Sequence, residues 1–409
     1  MTKHVVYLSY DGLTEALGQS QILPYLTGLA SLGYHFHIIS FEKASDFEKR
    51  KEGVYQSIVN LNISWHPSIY TKKPPVLSTL YDLYKMHAKS KDIIQKFPIA
   101  LVHCRSYLPA IIGKGLQKKY KIPFLFDMRG FWADERIEGG IWKLSNPLYR
   151  LIYKFIKKQE QLLFEKAPAI VSLTENGKMA IQEIYPNLNT GQKTFVIPCC
   201  VNLKQFTRDE NLEEIQLLKS KLKIPLSDKI LVYLGSIGTW YMLDEMLIFY
   251  KCQLKKNPAL RFLFITNEKE SFIHMKAALL EVPTDKIQVV SVSYSEVATH
   301  LNLADYSIFF IRPTFSKRAS SPIKQGELMA MGIPIICNDH IGDSSQIIIQ
   351  NAAGVVMEEL TETAFNAIDL EQISFDQPRV IAVANTIYSH EKGITSYTKI
   401  YANLIGTHE

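Results

Sequence analysis

Two doubly wound α/β domains in tandem are the fold class predicted by this sequence, and three observations predict it. Apolar, strand-like runs alternate with helix-like segments along nearly the whole chain, the pattern of a parallel sheet with helices on both faces. The 409 residues are enough for two domains of ordinary size, each with its own core. The alternation breaks at a polar, helix-containing connection, Asn202 to Ser227, and then starts again.

In the first half, His4–Ser9 reads as a strand, Gln19–Leu32 as a helix stopped by Gly33, and His35–Phe41 as a strand. Asp46–Leu61 is helical and Ile63–Ile69 strand-like, and Lys72-Lys73-Pro74-Pro75 breaks the chain before a long amphipathic helix, Leu77–Phe97. Strand Ala100–Cys104, helix Leu108–Tyr120, strand Pro123–Asp127, helix Pro147–Lys166, strand Ala169–Leu173 and strand Thr194–Pro198 follow. In the second half, strands Ile230–Leu234, Arg261–Thr266, Ile287–Val292 and Tyr306–Ile311 alternate with helices Met242–Lys256, Glu270–Leu280 and Ser295–Leu303.

Composition narrows the function classes. A content of 47% hydrophobic and 21% charged residues is that of a soluble globular protein. The five cysteines (104, 199, 200, 252, 337) are odd in number and lack zinc-type spacing, which predicts a reduced, cytoplasmic chain. No signal peptide precedes His4, and no apolar run approaches the ~20 residues that cross a bilayer. The net charge of +6 is uneven: residues 1–200 carry 26 Lys and Arg against 16 Asp and Glu, the remainder 20 against 24. A basic half suits nucleic acid or an anionic membrane surface. Nucleic acid is disfavoured, because the lysines are spread over helices without a helix-turn-helix, zinc-finger or RRM-type motif. For the membrane, residues 146–158 mix bulky apolar side chains with Arg150, Lys154, Lys157 and Lys158, as in peripheral docking on anionic lipid; a helix with its apolar side in the core is the alternative. Oligomeric state has no signature in the sequence.

The stretch from Ser320 to Pro334 carries the most specific pattern. It follows a strand-like run, Tyr306 to Ile311, and a basic loop, Arg312 to Arg318, and reads as a short helix with a Gly332 stop before a second strand-like run, Ile333 to Cys337. Ser321 is the expected cap and Pro322 the first helical residue. The first-turn N–H groups would face an anion, with Lys324 one turn in and Glu327 three residues further on. An ordinary amphipathic helix of a doubly wound domain is the alternative.

Glu327-Leu328-Met329-Ala330-Met331-Gly332 resembles the donor-binding helix of family 4 retaining glycosyltransferases, which have the GT-B fold of two Rossmann-like domains facing a central cleft. The junction Val196 to Asn202 is similar to that family's domain junction, although Cys200 stands where a glycine-containing turn is usual. The final helix, Thr395 to Ile405, resembles the family helix that packs back on the first domain. The resemblance implies an acceptor-binding domain, residues 1–200 with about 390–409, and a nucleotide-sugar-binding domain, residues 201–389. It departs at the first of two glutamates eight residues apart, where Ala319 stands.

Roles follow from the resemblance as expectations. Glu327 would grip the ribose hydroxyls, while Ser320 and Ser321, through their backbone N–H groups, would hold the sugar or diphosphate. Gly235, Ser236 and Gly238 follow the second domain's first strand, where the family places an Arg and then a Lys; Lys324, Arg312, Lys317 and Arg318 would supply that leaving-group charge. Thr266, Asn267 and Tyr294 end strands near the nucleobase. In the first domain, Gly12, Gly18 and Gln19 belong to a loop facing donor and acceptor, and glycines there allow close approach and an anion-binding nest of N–H groups. Polar clusters at two further strand ends read as a sugar or phosphate pocket: His103 and Arg105 on the acceptor and diphosphate side, and Asp127 and Arg129 as catalytic residues beside Lys324 and Arg312, the alternative being an internal Asp127–Arg129–Glu135 ion network that shapes the loop. The implied reaction is metal-independent hexosyl transfer to a glycan or lipid-linked glycan without a cofactor, with front-face attack and proton capture by the diphosphate. A non-catalytic nucleotide-sugar binder, a GT-B epimerase and a two-domain binding protein are the alternatives.

Overall fold

The computed structural model describes residues 3–209 and 211–406. The chain divides into two compact units, Met1–Cys200 with His390–Glu409, and Val201–Ser389.

The first unit is built on seven parallel strands: β1 Lys3–Ser9, β2 Tyr34–Glu42, β3 Ile63–Ile69, β4 Ile99–Arg105, β5 Phe124–Asp127, β6 Ala169–Ser172 and β7 Thr194–Val196. Their order is β3-β2-β1-β4-β5-β6-β7. Val5, Val6, Tyr7 and Leu8 of the central β1 are all buried, because helices cover both faces of the sheet. The second unit has six strands: β8 Lys229–Leu234, β9 Leu260–Ile265, β10 Ile287–Val290, β11 Tyr306–Phe309, β12 Ile335–Asn338 and β13 Gly354–Met357. They run in the order β10-β9-β8-β11-β12-β13, again all parallel. In both sheets the order reverses beside the first strand, at β1/β4 and at β8/β11, and the crevice at such a reversal is where open α/β sheets bind ligands.

Several expected elements change in detail. The first helix is two, Ala16–Gln21 and Leu23–Ser31, broken at Ile22 just before Pro24. The terminal helix begins at His390, five residues before the expected start. Helices Trp132–Glu138, Glu175–Ile184, Ser344–Gln350 and Gln377–Tyr388 were not anticipated. Cys200 needs no left-handed backbone: it is absent from the positive-φ residues, and it is held by the Tyr25 hydroxyl on its N–H (3.0 Å) and by Gln21 Nε2 on its carbonyl (2.9 Å).

Gly332 does end its helix as expected. At φ +60° it donates to Met329 O (3.0 Å) while Ile333 donates to Leu328 O (3.0 Å), the paired bonds of a Schellman stop. The helix itself spans Ile323–Ala330, so Pro322 takes the cap position with no side-chain cap bond. Ser321 is therefore not the cap. Its expected place is taken by Pro322, whose extended backbone (ψ 119°) puts it outside the first turn.

Candidate functional site

In the second unit, the backbone turns sharply after β8 at Gly235, with φ +111°. A Cβ there would lie 3.1 Å from Lys324 Nζ, so the glycine lets the main chain lie against that amine. Lys324 is 6% exposed, and its Nζ sits 3.8 Å from the ring centre of Tyr241 and 4.2 Å from that of Tyr233. Among the described residues it has no hydrogen-bond partner. Cation–π contact offsets only part of the cost of burying an ammonium. Burial accordingly holds the Lys324 pKa well below that of an ordinary lysine, against the pull of the nearby Glu327 charge.

Glu327, one turn along the same helix, is 5% exposed and accepts a 3.0 Å bond from the Tyr294 hydroxyl. Burial pushes its carboxyl up to about 7, although the Tyr294 bond and Lys324 both oppose the shift. Tyr294 is itself positioned by two residues the sequence reading did not single out. The Phe206 ring meets it edge-on at 5.7 Å, and Gln205 Nε2 donates to its carbonyl (2.7 Å).

The other expected residues of this unit differ in what they meet. Lys317 is buried rather than a solvated loop charge, with Nζ 3.7 Å from the ring centre of Trp240; Arg318 is half-buried beside it in sequence, and Arg312 is exposed. Gly238 and Ser236 lie on the exposed side of the loop after β8, with the Ser236 carbonyl tied to the Tyr233 hydroxyl (2.7 Å). Thr266 and Asn267 are used locally, as acceptors for Glu268 N and the Ser291 hydroxyl. The Ser320 N–H, expected to face a ligand, instead donates to Lys317 O (3.1 Å), because the 3-10 turn closes on it. Asn338, also unanticipated, clamps the end of β11 by bonding both the N–H and the carbonyl of Ile311 (2.8 and 2.9 Å).

The first unit treats its strand ends differently. The anion nest expected around Gly12 is already filled by the protein's own carboxylate. Glu42, buried at the end of β2, accepts from Leu13 N (2.9 Å), Thr14 N (3.0 Å), the Thr14 hydroxyl (2.5 Å) and the Ser40 hydroxyl (2.5 Å). Gly18 lets the following helix seat on this loop, since a Cβ would lie 2.1 Å from Gly12 O, and Gln19 Nε2 donates to Leu13 O (2.6 Å). The two glycines and Gln19 thus shape a closed loop.

His103, Arg105, Asp127 and Arg129 do come together, as one buried network. Asp127 Oδ2 accepts from the Tyr397 hydroxyl (3.1 Å) and lies 3.4 Å from His103 Nε2, while its other oxygen is 3.7 Å from Arg129. His103 Nδ1 meets the Tyr401 hydroxyl at 2.6 Å, and Arg105 reaches out to Asp11 (3.2 Å). Burial works against ionising Asp127, but Arg129, His103 and Arg105 overcome it and hold the carboxyl at about 2; burial lowers the His103 pKa, so the imidazole is neutral at pH 7. Tyr397 and Tyr401, four residues apart on the terminal helix, are the residues that sequence reasoning missed here. Their spacing placed them on one face, without indicating a polar target.

The chain's similarities to known proteins agree with this architecture. Residues 22–205 match the family described as Glycosyltransferase Family 4. No curated protein matches the sequence. Among solved structures, sucrose-phosphate synthase from Thermosynechococcus elongatus superposes with a TM-score of 0.68 at 14% identity, over 98% of this chain and 99% of its own. HepE from Anabaena, solved in complex with UDP and glucose, gives 0.67 at 10% identity over 98% and 100%. WaaG, a glycosyltransferase involved in lipopolysaccharide biosynthesis, gives 0.64 at 14% over 98% and 100%. Two Rossmann-like units of GT-B type are what these likenesses show.

Proposed function

We propose that this chain, a glycosyltransferase of the family 4 type, moves a hexose-type sugar from a nucleotide-sugar donor to a hydroxyl of a glycan or lipid-linked glycan, with retention at the anomeric carbon. One observation carries the reading: the buried amine of Lys324, without a hydrogen-bond partner among the described residues, lies against the glycine turn after β8, with the carboxyl of Glu327 one helical turn away. An amine held in that state gains most from an anion, and a diphosphate is the anion a nucleotide-sugar brings. Glu327 accepts the ribose hydroxyls in place of the Tyr294 hydroxyl. That HepE was solved with UDP supports a nucleotide-sugar donor.

In the proposed transfer, the bond from the anomeric carbon to the diphosphate oxygen breaks early. Charge grows on the departing diphosphate, and Lys324 meets that charge in a dry setting where it counts most. The acceptor hydroxyl attacks from the same face and passes its proton to the diphosphate oxygen. His103, Asp127, Arg105 and Arg129, engaged with one another and with the terminal helix, act in this reading as a scaffold for the first unit's strand ends, and their contacts do not favour a role on the substrate. Thermal-shift screening against nucleoside diphosphate sugars tests the donor reading: a ligand at 100 times its dissociation constant adds about 2.7 kcal/mol of stability. A donor that stabilises but is never hydrolysed or transferred would favour the non-catalytic alternative.

Docking on an anionic membrane surface in cell-surface polysaccharide synthesis is the accompanying proposal. Among the described residues, no helix is long and apolar enough to cross a bilayer. The first turns of helix Pro147–Lys166 expose Leu148, Leu151 and Phe155 beside Arg150, Lys154 and Lys158, while Ile156, Leu163 and Phe164 hold its later turns in the core. Lys157 drops out of the cationic set, because it pairs with Asp134 and Glu160. Helix Leu77–Lys96 of the same unit exposes a second stripe, Leu77, Leu80, Tyr81 and Tyr84. Sedimentation with anionic vesicles at low salt should deplete the supernatant, and equal recovery with and without vesicles would refute the docking.

A further inference from the structure

At the amino end of the first sheet, opposite the strand ends described above, four histidines share one face. His4 of β1 is the register partner of His35 of β2, and His37 follows two residues on. His66 of β3 pairs with Ile39, which places it on the same face. The rings are close: His4 Nδ1 lies 3.1 Å from His37 Nε2, and the ring centres of His35 lie 4.8 Å from those of both His4 and His37. One ligand nitrogen from each of His4, His35 and His37 falls within 4.8 Å of the others. His37 is 1% exposed, and its Nδ1 and the Nε2 of His66 are buried nitrogens without a hydrogen-bond partner among the described residues.

The rings stack on one another and on Phe97. Aliphatic residues would pack on the same face without bringing nitrogens of three imidazoles within 4.8 Å of one another. The two nearest nitrogens are about as far apart as two ligands of one tetrahedral ion with bonds of roughly 2.0–2.1 Å. His4 and His35 are only half-buried, which leaves an entry route from solvent at the sheet edge.

We propose that His4, His35 and His37 form a binding site for one borderline divalent transition-metal ion, with Zn²⁺ as the representative, at the amino edge of the first sheet. Imidazole nitrogens select this class over Mg²⁺ and Ca²⁺, which prefer oxygen. Closing the three nitrogens onto an ion needs small rotations of the His4 and His35 rings, the two with freedom to make them. His66 stays outside the ligand set, since Lys89 and Lys96 lie near it and oppose a further cation. The site ties β1 to β2 and is distinct from the metal-independent donor site of the second unit. Its role would be to brace the sheet edge.

The test uses the full chain, purified without a histidine tag and stripped with chelator. Zn²⁺ is titrated in competition with a chromophoric chelator, and thermal melts are recorded with Zn²⁺ and with Mg²⁺. One Zn²⁺ per chain, a higher melting temperature with Zn²⁺ alone, and a loss of affinity of about tenfold or more in both His4→Gln and His35→Gln are expected. The two half-buried positions are chosen so that the metal-free variants melt as the wild type does; should either fail to fold, the Co²⁺ absorption spectrum of the wild type still reports nitrogen ligation. Zn²⁺ binding that is absent, substoichiometric or equal in wild type and variants, or a Co²⁺ spectrum of an aquo ion, would reduce the cluster to a packed histidine ladder.

Discussion

The loops after β1 and after β8 occupy the same place in two sheets of the same topology, yet they meet charge in opposite ways. After β1 the loop amides close on Glu42, an anion the chain supplies itself. After β8 the loop lies against Lys324, a buried amine for which no described residue supplies a hydrogen-bond acceptor. A topological switch point is therefore only an opportunity for binding. Whether it is open depends on whether the local charge has already been answered, and in this molecule the answered site is in the first unit and the unanswered one in the second.

The largest expected effect breaks the answered site. Glu42→Ala leaves the buried amides of Leu13 and Thr14 and two hydroxyls without their acceptor, at about 1–3 kcal/mol for each unsatisfied group. A loss of about 4 kcal/mol in chemical denaturation is expected, and a loss under ~1 kcal/mol would mean that the loop does not depend on that carboxylate.

Lys324→Ala removes the unanswered charge. Turnover should fall by ~10²–10³, as for other groups that meet charge built up in a transition state. Nucleotide affinity should fall less, and near-normal turnover would place the leaving-group role elsewhere.

The smallest effect is in pH dependence. With its carboxyl raised to about 7, Glu327 contributes stability that is complete below the ordinary value of about 4.3 and is lost as pH rises through 7. Nucleotide binding favours the ionised form, so affinity should weaken about tenfold per pH unit below 7 in the wild type, relative to Glu327→Gln, which lacks this titration. Parallel pH profiles for the two proteins would remove the carboxylate from the site.

Much of this was legible in the sequence, because alternating apolar runs, a glycine stop and a glutamate-led helix are local signals. The short helix before Gly332, its stop and the succession of strands and helices along the chain could be read that way; the order of strands within each sheet was not predicted. What escaped was long-range. Glu42 lies 28 residues from the amide of Thr14 that it holds, and Tyr397 lies 270 residues from Asp127. The Ser321 cap failed for a local reason of another kind: Pro322 keeps an extended backbone, so the helix starts one residue later.

The central claim is that the second unit holds an open anion site at Lys324. Calorimetric titration of a nucleoside diphosphate into wild type, Lys324→Ala and Arg129→Ala tests it most directly. The account predicts binding in the wild type, weakening of about 10- to 100-fold in Lys324→Ala, the worth of one charge-assisted hydrogen bond, and little change in Arg129→Ala. Equal affinity in wild type and Lys324→Ala, or a loss confined to Arg129→Ala, would contradict it.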